Sequence, residues 1–130
     1  MSTNTLDDRT DILESLAFGP RRVHFELKCL AHGCGRPASQ AGRAWVSADV
    51  TGIHGPTYGG YELRFERNHG TKAKPLWSAT WPEAVDESGA RRERLYLKCR
   101  VGHGAPVKLE TLMRRMLDEY AKGRTVIYFG

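Results

Sequence analysis

Two stretches decide how this chain folds. They are Phe25-Glu26-Leu27-Lys28-Cys29-Leu30-Ala31-His32-Gly33-Cys34-Gly35 and Leu95-Tyr96-Leu97-Lys98-Cys99-Arg100-Val101-Gly102-His103-Gly104. Each is an alternating run that ends in Leu-Lys-Cys, followed by a tight turn and a second soft ligand with glycine after it. Alternation of apolar and polar residues is the mark of a strand with one buried face. Each strand therefore delivers a cysteine to the start of a turn. Cys29 and Cys34 are separated by four residues, Cys99 and His103 by three. Turns of that length reverse the chain so that both ligands face one ion, and glycine suits the φ > 0 positions they need.

Thiolate sulfur and imidazole nitrogen are the donors zinc prefers, in tetrahedral sets of four. The expected set is Cys29, Cys34, Cys99 and His103. With every position filled by protein, the zinc is structural rather than catalytic, because a catalytic ion keeps one position for water. His32 is a rival ligand, able to replace His103, or Cys34 if the first turn folds differently. Three buried reduced cysteines without metal are the plainer alternative, since free cysteine is commonly buried. An iron–sulfur cluster usually takes four cysteines in tighter spacing. A disulfide framework does not fit three cysteines with no apolar signal core ahead of them.

A chain of 130 residues is one domain by length. No run approaches the roughly 18 apolar residues of a membrane span, so the expectation is a cytoplasmic protein with no membrane partner. Net charge is +5, unevenly spread. Asp7, Asp8, Asp11 and Glu14 outweigh Arg9 in an acidic N-terminal helical segment, residues 1–19. The basic, zinc-binding, β-rich body spans residues 20–130. A basic body favours polyanions, nucleic acid first among them.

Along the chain, Thr5 and Asp8 resemble a capping pair for a first helix over Leu6–Phe18, stopped by Gly19-Pro20. Strands are expected at Val23–Cys29, Ala44–Val50 with Trp45 as its largest anchor, Tyr61–Arg67, Leu76–Trp81 and Arg91–Cys99. In the Tyr61 strand, Tyr61, Leu63 and Phe65 face one side and Glu62, Arg64 and Glu66 the other. Residues 52–60 and 82–90 read as loops. Pro106 opens an amphipathic helix whose stripe is Leu109, Leu112, Met113, Met116, Leu117 and Tyr120. Proline suits its first turn and Gly123 its end. Thr125–Phe129 is a last strand, returning to the sheet edge or pairing with another copy. The whole is a single α+β domain: an antiparallel β-sheet, a clear C-terminal helix and a weaker N-terminal one.

The two turns resemble the knuckles of zinc-ribbon proteins, on the residues Cys29-x4-Cys34-Gly35 and Cys99-x3-His103-Gly104. The resemblance covers about a quarter of the chain. It departs from the usual pattern of two residues between ligands, and from the usual preference for cysteine. The halves lie far apart, so several strands intervene. Zinc ribbons occur in transcription, replication and RNA-handling proteins, and their metal is usually structural. The resemblance therefore implies a binding module before an enzyme, and assigns no partner.

The expected nucleic-acid contacts are Arg91, Arg92, Arg94, Arg100, Arg114 and Arg115, with Tyr58, Tyr61, Phe65, Trp77, Trp81 and Tyr96 interleaved as stacking or core residues. A second reading is a protein-interaction module, a phage or regulatory factor docking on a larger machine through Trp77, Trp81 or the Thr125–Phe129 edge. A nuclease-type enzyme is the third. No nucleophile–base pair, phosphate-cradling loop or deaminase signature supports it.

Overall fold

Phe25, Leu27 and Cys29 are buried while Glu26 between them is exposed, so the alternation that predicts the first strand also aims it at the core. The computed structural model describes residues 10–19, 21–39, 41–48, 57–58, 60–80, 83–84 and 94–129. In chain order these form α1 (Thr10–Phe18), β1 (Phe25–Cys29), β2 (Arg43–Ser47), β3 (Thr57–Tyr58), β4 (Tyr61–Asn68), β5 (Trp77–Thr80), β6 (Glu83–Ala84), β7 (Arg94–Lys98), β8 (Gly104–Lys108), α2 (Leu109–Ala121) and β9 (Val126–Phe129). A short 3-10 turn, Ala31–Gly33, follows β1.

The strands make two sheets. In the larger, β1 pairs antiparallel with β2 and parallel with β9, in register from Glu26↔Val126 to Cys29↔Phe129. β2 pairs antiparallel with β4, which also carries β3 and β5. The smaller sheet is β6–β7–β8, all antiparallel. The expectation of an antiparallel sheet thus needs two corrections. Among the described residues there are two sheets, and the β1–β9 pair runs parallel. Parallel neighbours need a crossover connection, and the chain between them ends with α2 leading into β9. The last strand returns to the sheet edge, the first of the two options its sequence offered.

Both helices and both sheets share one core. Leu13 and Leu16 from α1 and Phe25 and Leu27 from β1 meet Leu95 and Leu97 from β7 and the apolar stripe of α2. That stripe is as expected: Leu109, Leu112, Met113, Met116 and Leu117 are buried. The start of the helix is not. Pro106 lies in β8 opposite Tyr96, and the helix begins at Leu109. β8 is an edge strand, where a residue without an N–H is tolerated. At the other end, Gly123 N–H donates to Tyr120 O and Arg124 N–H to Glu119 O, the bond pair of a Schellman ending.

The opposite face of the larger sheet is a layer of charges and aromatics. Arg22 sits 4.5 Å from the Trp45 ring centroid and Arg43 3.8 Å from that of Trp77. Arg43 Nε donates to Glu66 Oε1 at 2.9 Å. Arg64 Nε donates to Glu62 Oε1 at 3.0 Å. Glu62 lies on the side its alternation predicts, yet has no solvent exposure. Trp45 is buried in this layer rather than in the shared core.

The expected loop over 82–90 is corrected where Glu83–Ala84 pairs with β7. The Thr5–Asp8 capping pair, His54, Trp81 and most of the 52–60 loop lie outside the described residues. Among those residues no helix is long and apolar enough to cross a membrane.

Candidate metal centre

β1 ends at Cys29 and the 3-10 turn presents Cys34. β7 is followed by Cys99, and His103 immediately precedes β8. The backbone closes both turns. Gly35 N–H donates to Cys29 O at 2.8 Å and Cys34 N–H to Ala31 O at 3.0 Å. In the second turn Cys99 N–H donates to His103 O at 2.9 Å and Gly102 N–H to Cys99 O at 3.0 Å. Gly35 and Gly102 have φ of 67° and 97°, a region that L side chains rarely enter. Gly104 serves differently, because a Cβ there would lie 2.6 Å from the Tyr96 hydroxyl.

The two turns are tied to each other as well. After Cys34 the chain runs back along β1 through the bridge Lys28↔Pro37 and onto the second turn through Ala38↔Cys99. Ser39 N–H donates to Lys98 O at 2.8 Å. One short segment therefore joins the two sheets beside the ligands.

The four expected ligand side chains converge, with all their donor atoms within 4.8 Å of one another. Cys34 Sγ and Cys99 Sγ are 3.9 Å apart. His103 Nδ1 lies 3.6 Å from Cys99 Sγ and 3.8 Å from Cys29 Sγ. A disulfide needs about 2.05 Å, so the cysteines are free thiols. A tetrahedron with metal–sulfur bonds of ~2.3 Å and metal–nitrogen bonds of ~2.0 Å has edges of roughly 3.5–3.8 Å. Three of the six separations, 3.6, 3.8 and 3.9 Å, lie close to those edges, and the group could hold one metal ion, with Nδ1 the imidazole nitrogen that faces the thiols. His103 belongs to the converged set, and the side chain of its rival His32 lies outside those described.

Charge around the set is one-sided. Arg36 Nη1 approaches Cys34 Sγ at 3.3 Å, and this guanidinium brings the Cys34 thiol down to about 6. Burial pushes the Cys29 thiol up. Three thiolates and a neutral imidazole around a divalent cation carry a net charge of −1, which Arg36 balances. Cys29 and Cys99 are buried and Cys34 is partly open.

The chain on either side of the ligands is basic. Residues 27–48 and 94–109 contain no Asp or Glu, yet hold Lys28, Arg36, Arg43, Arg94, Lys98, Arg100 and Lys108. This carboxylate gap is a sequence signal that residue-by-residue counting of basic clusters missed.

The expected nucleic-acid contacts with described side chains, Arg100, Arg114 and Arg115, lie on the second turn and on α2. Arg100 is exposed on the second turn. Arg91 and Arg92 lie outside the described residues, and Arg94 is placed only as the first residue of β7. Arg114 is bonded to Glu110 at 2.9 Å, and Arg115 donates to Tyr128 O at 3.1 Å. Among the aromatics, Phe65 is core, Tyr61 packs against the core and Trp77 lies under Arg43.

No protein-family model, curated protein or solved structure matches this chain. The likeness to zinc ribbons therefore stands on the two turns alone.

Proposed function

We propose that this chain is a non-catalytic nucleic-acid-binding module whose basic lobe is assembled on a structural zinc ion. The observation that carries the reading is the coincidence of the Cys29–Cys34–Cys99–His103 set with the carboxylate gap on both its arms. Three sulfurs and one nitrogen suit zinc among the common divalent ions. A fully protein-filled set leaves no position for a reacting water. The arms carry Lys28, Arg36 and Arg100 close in sequence to the four side chains, in segments that hold no Asp or Glu. Phosphate backbones are the commonest ligands of such surfaces. The interior placement of Phe65 and the stacking of Arg43 on Trp77 favour contact through phosphate over stacking on bases.

Two measurements test this. Elemental analysis of the purified protein is expected to give one zinc per chain, and cobalt substitution to give the intense visible bands of a tetrahedral thiolate site. Anisotropy of a labelled oligonucleotide is expected to show affinity falling steeply with salt. About four phosphate contacts correspond to a loss of roughly a hundredfold between ~50 and ~200 mM. Arg100→Gln should lower that slope by about one. Binding that ignores salt, or none at all, overturns the reading.

A further inference from the structure

Phosphate binding gives no role to two side chains beside the metal centre. Leu30, directly after Cys29, is 56 % exposed, and Val101, between Cys99 and His103, is 53 % exposed. Neither belongs to the core cluster. Both stand on closed turns, so their exposure is built in. Leu30 N–H donates to Phe129 O at 2.7 Å, and the Val101 turn is shut by the Gly102 N–H bond to Cys99 O. Each lies no more than two residues from a ligand of the same cluster. Arg36 and Arg100, in the same two turn segments, are exposed, and the two arms hold no carboxylate.

We propose that this face docks an acidic segment of a partner protein, with Leu30 and Val101 as its apolar anchors. Charge complementarity selects the sign of the partner, because Arg36 already balances the thiolate set and an acidic segment then meets the charge of exposed Arg100, where a basic one would be repelled. The anchors select protein over nucleic acid. A half-exposed Leu or Val gains free energy only when apolar surface covers it, and a sugar–phosphate backbone offers little. This inference rests on the metal ordering both turns, and not on the nucleic-acid reading.

The test uses the metal-loaded full chain and three labelled probes: a short peptide alternating Asp and Leu, one alternating Asp and Ser, and a DNA duplex. The Asp–Leu peptide is expected to bind at least about tenfold more tightly than Asp–Ser. The double variant Leu30→Ser/Val101→Ser, checked for full metal content, should bring the two peptides within about twofold. Leu76→Ser, which removes an exposed leucine beyond the lobe, should leave the preference intact. Equal affinity of the two peptides for the unmodified chain overturns the proposal, as does a preference that survives the double variant. Duplex binding without a peptide preference sinks the docking and leaves the nucleic-acid reading standing. A peptide preference without duplex binding does the reverse.

Discussion

At the scale of single residues, the metal set divides its work between buried and open ligands. Cys99 is buried and sits at the joint of β7, its own turn and the Ala38 bridge. Cys99→Ser should therefore release the metal and destabilise the domain by at least about 3 kcal/mol, since metal binding and folding are coupled. Unchanged metal content and melting temperature in that variant would falsify the ligand assignment. Glu62 poses a different problem. A carboxylate with no exposure is tolerated because it is paired, and Arg64 is one of its partners. Arg64→Met should cost about 3 kcal/mol, because removing one partner leaves the buried charge under-compensated. Urea denaturation of the variant reads this directly. His24 carries a pH dependence of definite sign. Burial, then the charge of Arg43, lowers its pKa below the ordinary 6.5. The unfolded chain therefore binds the proton first, so the stability His24 confers is complete above about 6.5 and declines as pH falls toward its folded value. His24→Gln should flatten this part of the pH profile. The comparison is the difference between variant and parent urea midpoints at pH 7.5 and 5.5, which separates His24 from protonation of the thiols. An identical profile in the two proteins would exclude His24.

At the scale of elements, α2 is the piece the sequence describes best, because its spacing is dictated by burial. Met116 and Leu117 are fully buried on the stripe the pattern predicts. Met116→Ala should destabilise by roughly 2–4 kcal/mol through lost burial and the cavity left behind, with the helix retained by circular dichroism. A loss below about 1 kcal/mol would mean the neighbours collapse into the gap. The strands feeding the turns were legible for the same reason, since Phe25, Leu27, Leu95 and Leu97 alternate with polar residues and are all buried. What was misread or left open shares one cause: a local signal that two structures can satisfy. Proline suits the first turn of a helix and also an edge strand, and Pro106 takes the second. Glu62 alternates like a solvent-facing residue, but only the strand order reveals the charged layer that buries it. Glu83–Ala84 is too short to carry a period.

At the scale of the whole molecule, the metal set joins the two sheets. Cys29 ends a strand of the larger sheet and Cys99 follows a strand of the smaller. The four side chains that cluster were legible because soft donors are few and glycine marks their turns. Their distribution over two sheets was not, because strand pairing between distant segments leaves no local trace. That distribution sets the consequence of removing an ion held by the four side chains. Cys34 and Cys99 are 65 residues apart in sequence, and Cys29 and His103 are 74. Closing a loop of that order by a cross-link removes chain entropy from the unfolded state worth about 4 kcal/mol. For a domain of this size that corresponds to a fall in melting temperature of about 15 °C. Chelation should produce this fall, and adding back zinc should reverse it. Because the core is shared by both sheets and both helices, the loss should appear as one cooperative transition at lower temperature. A small early step followed by an unshifted main transition would mean that the ion orders only the two turns, with the rest of the core standing without it.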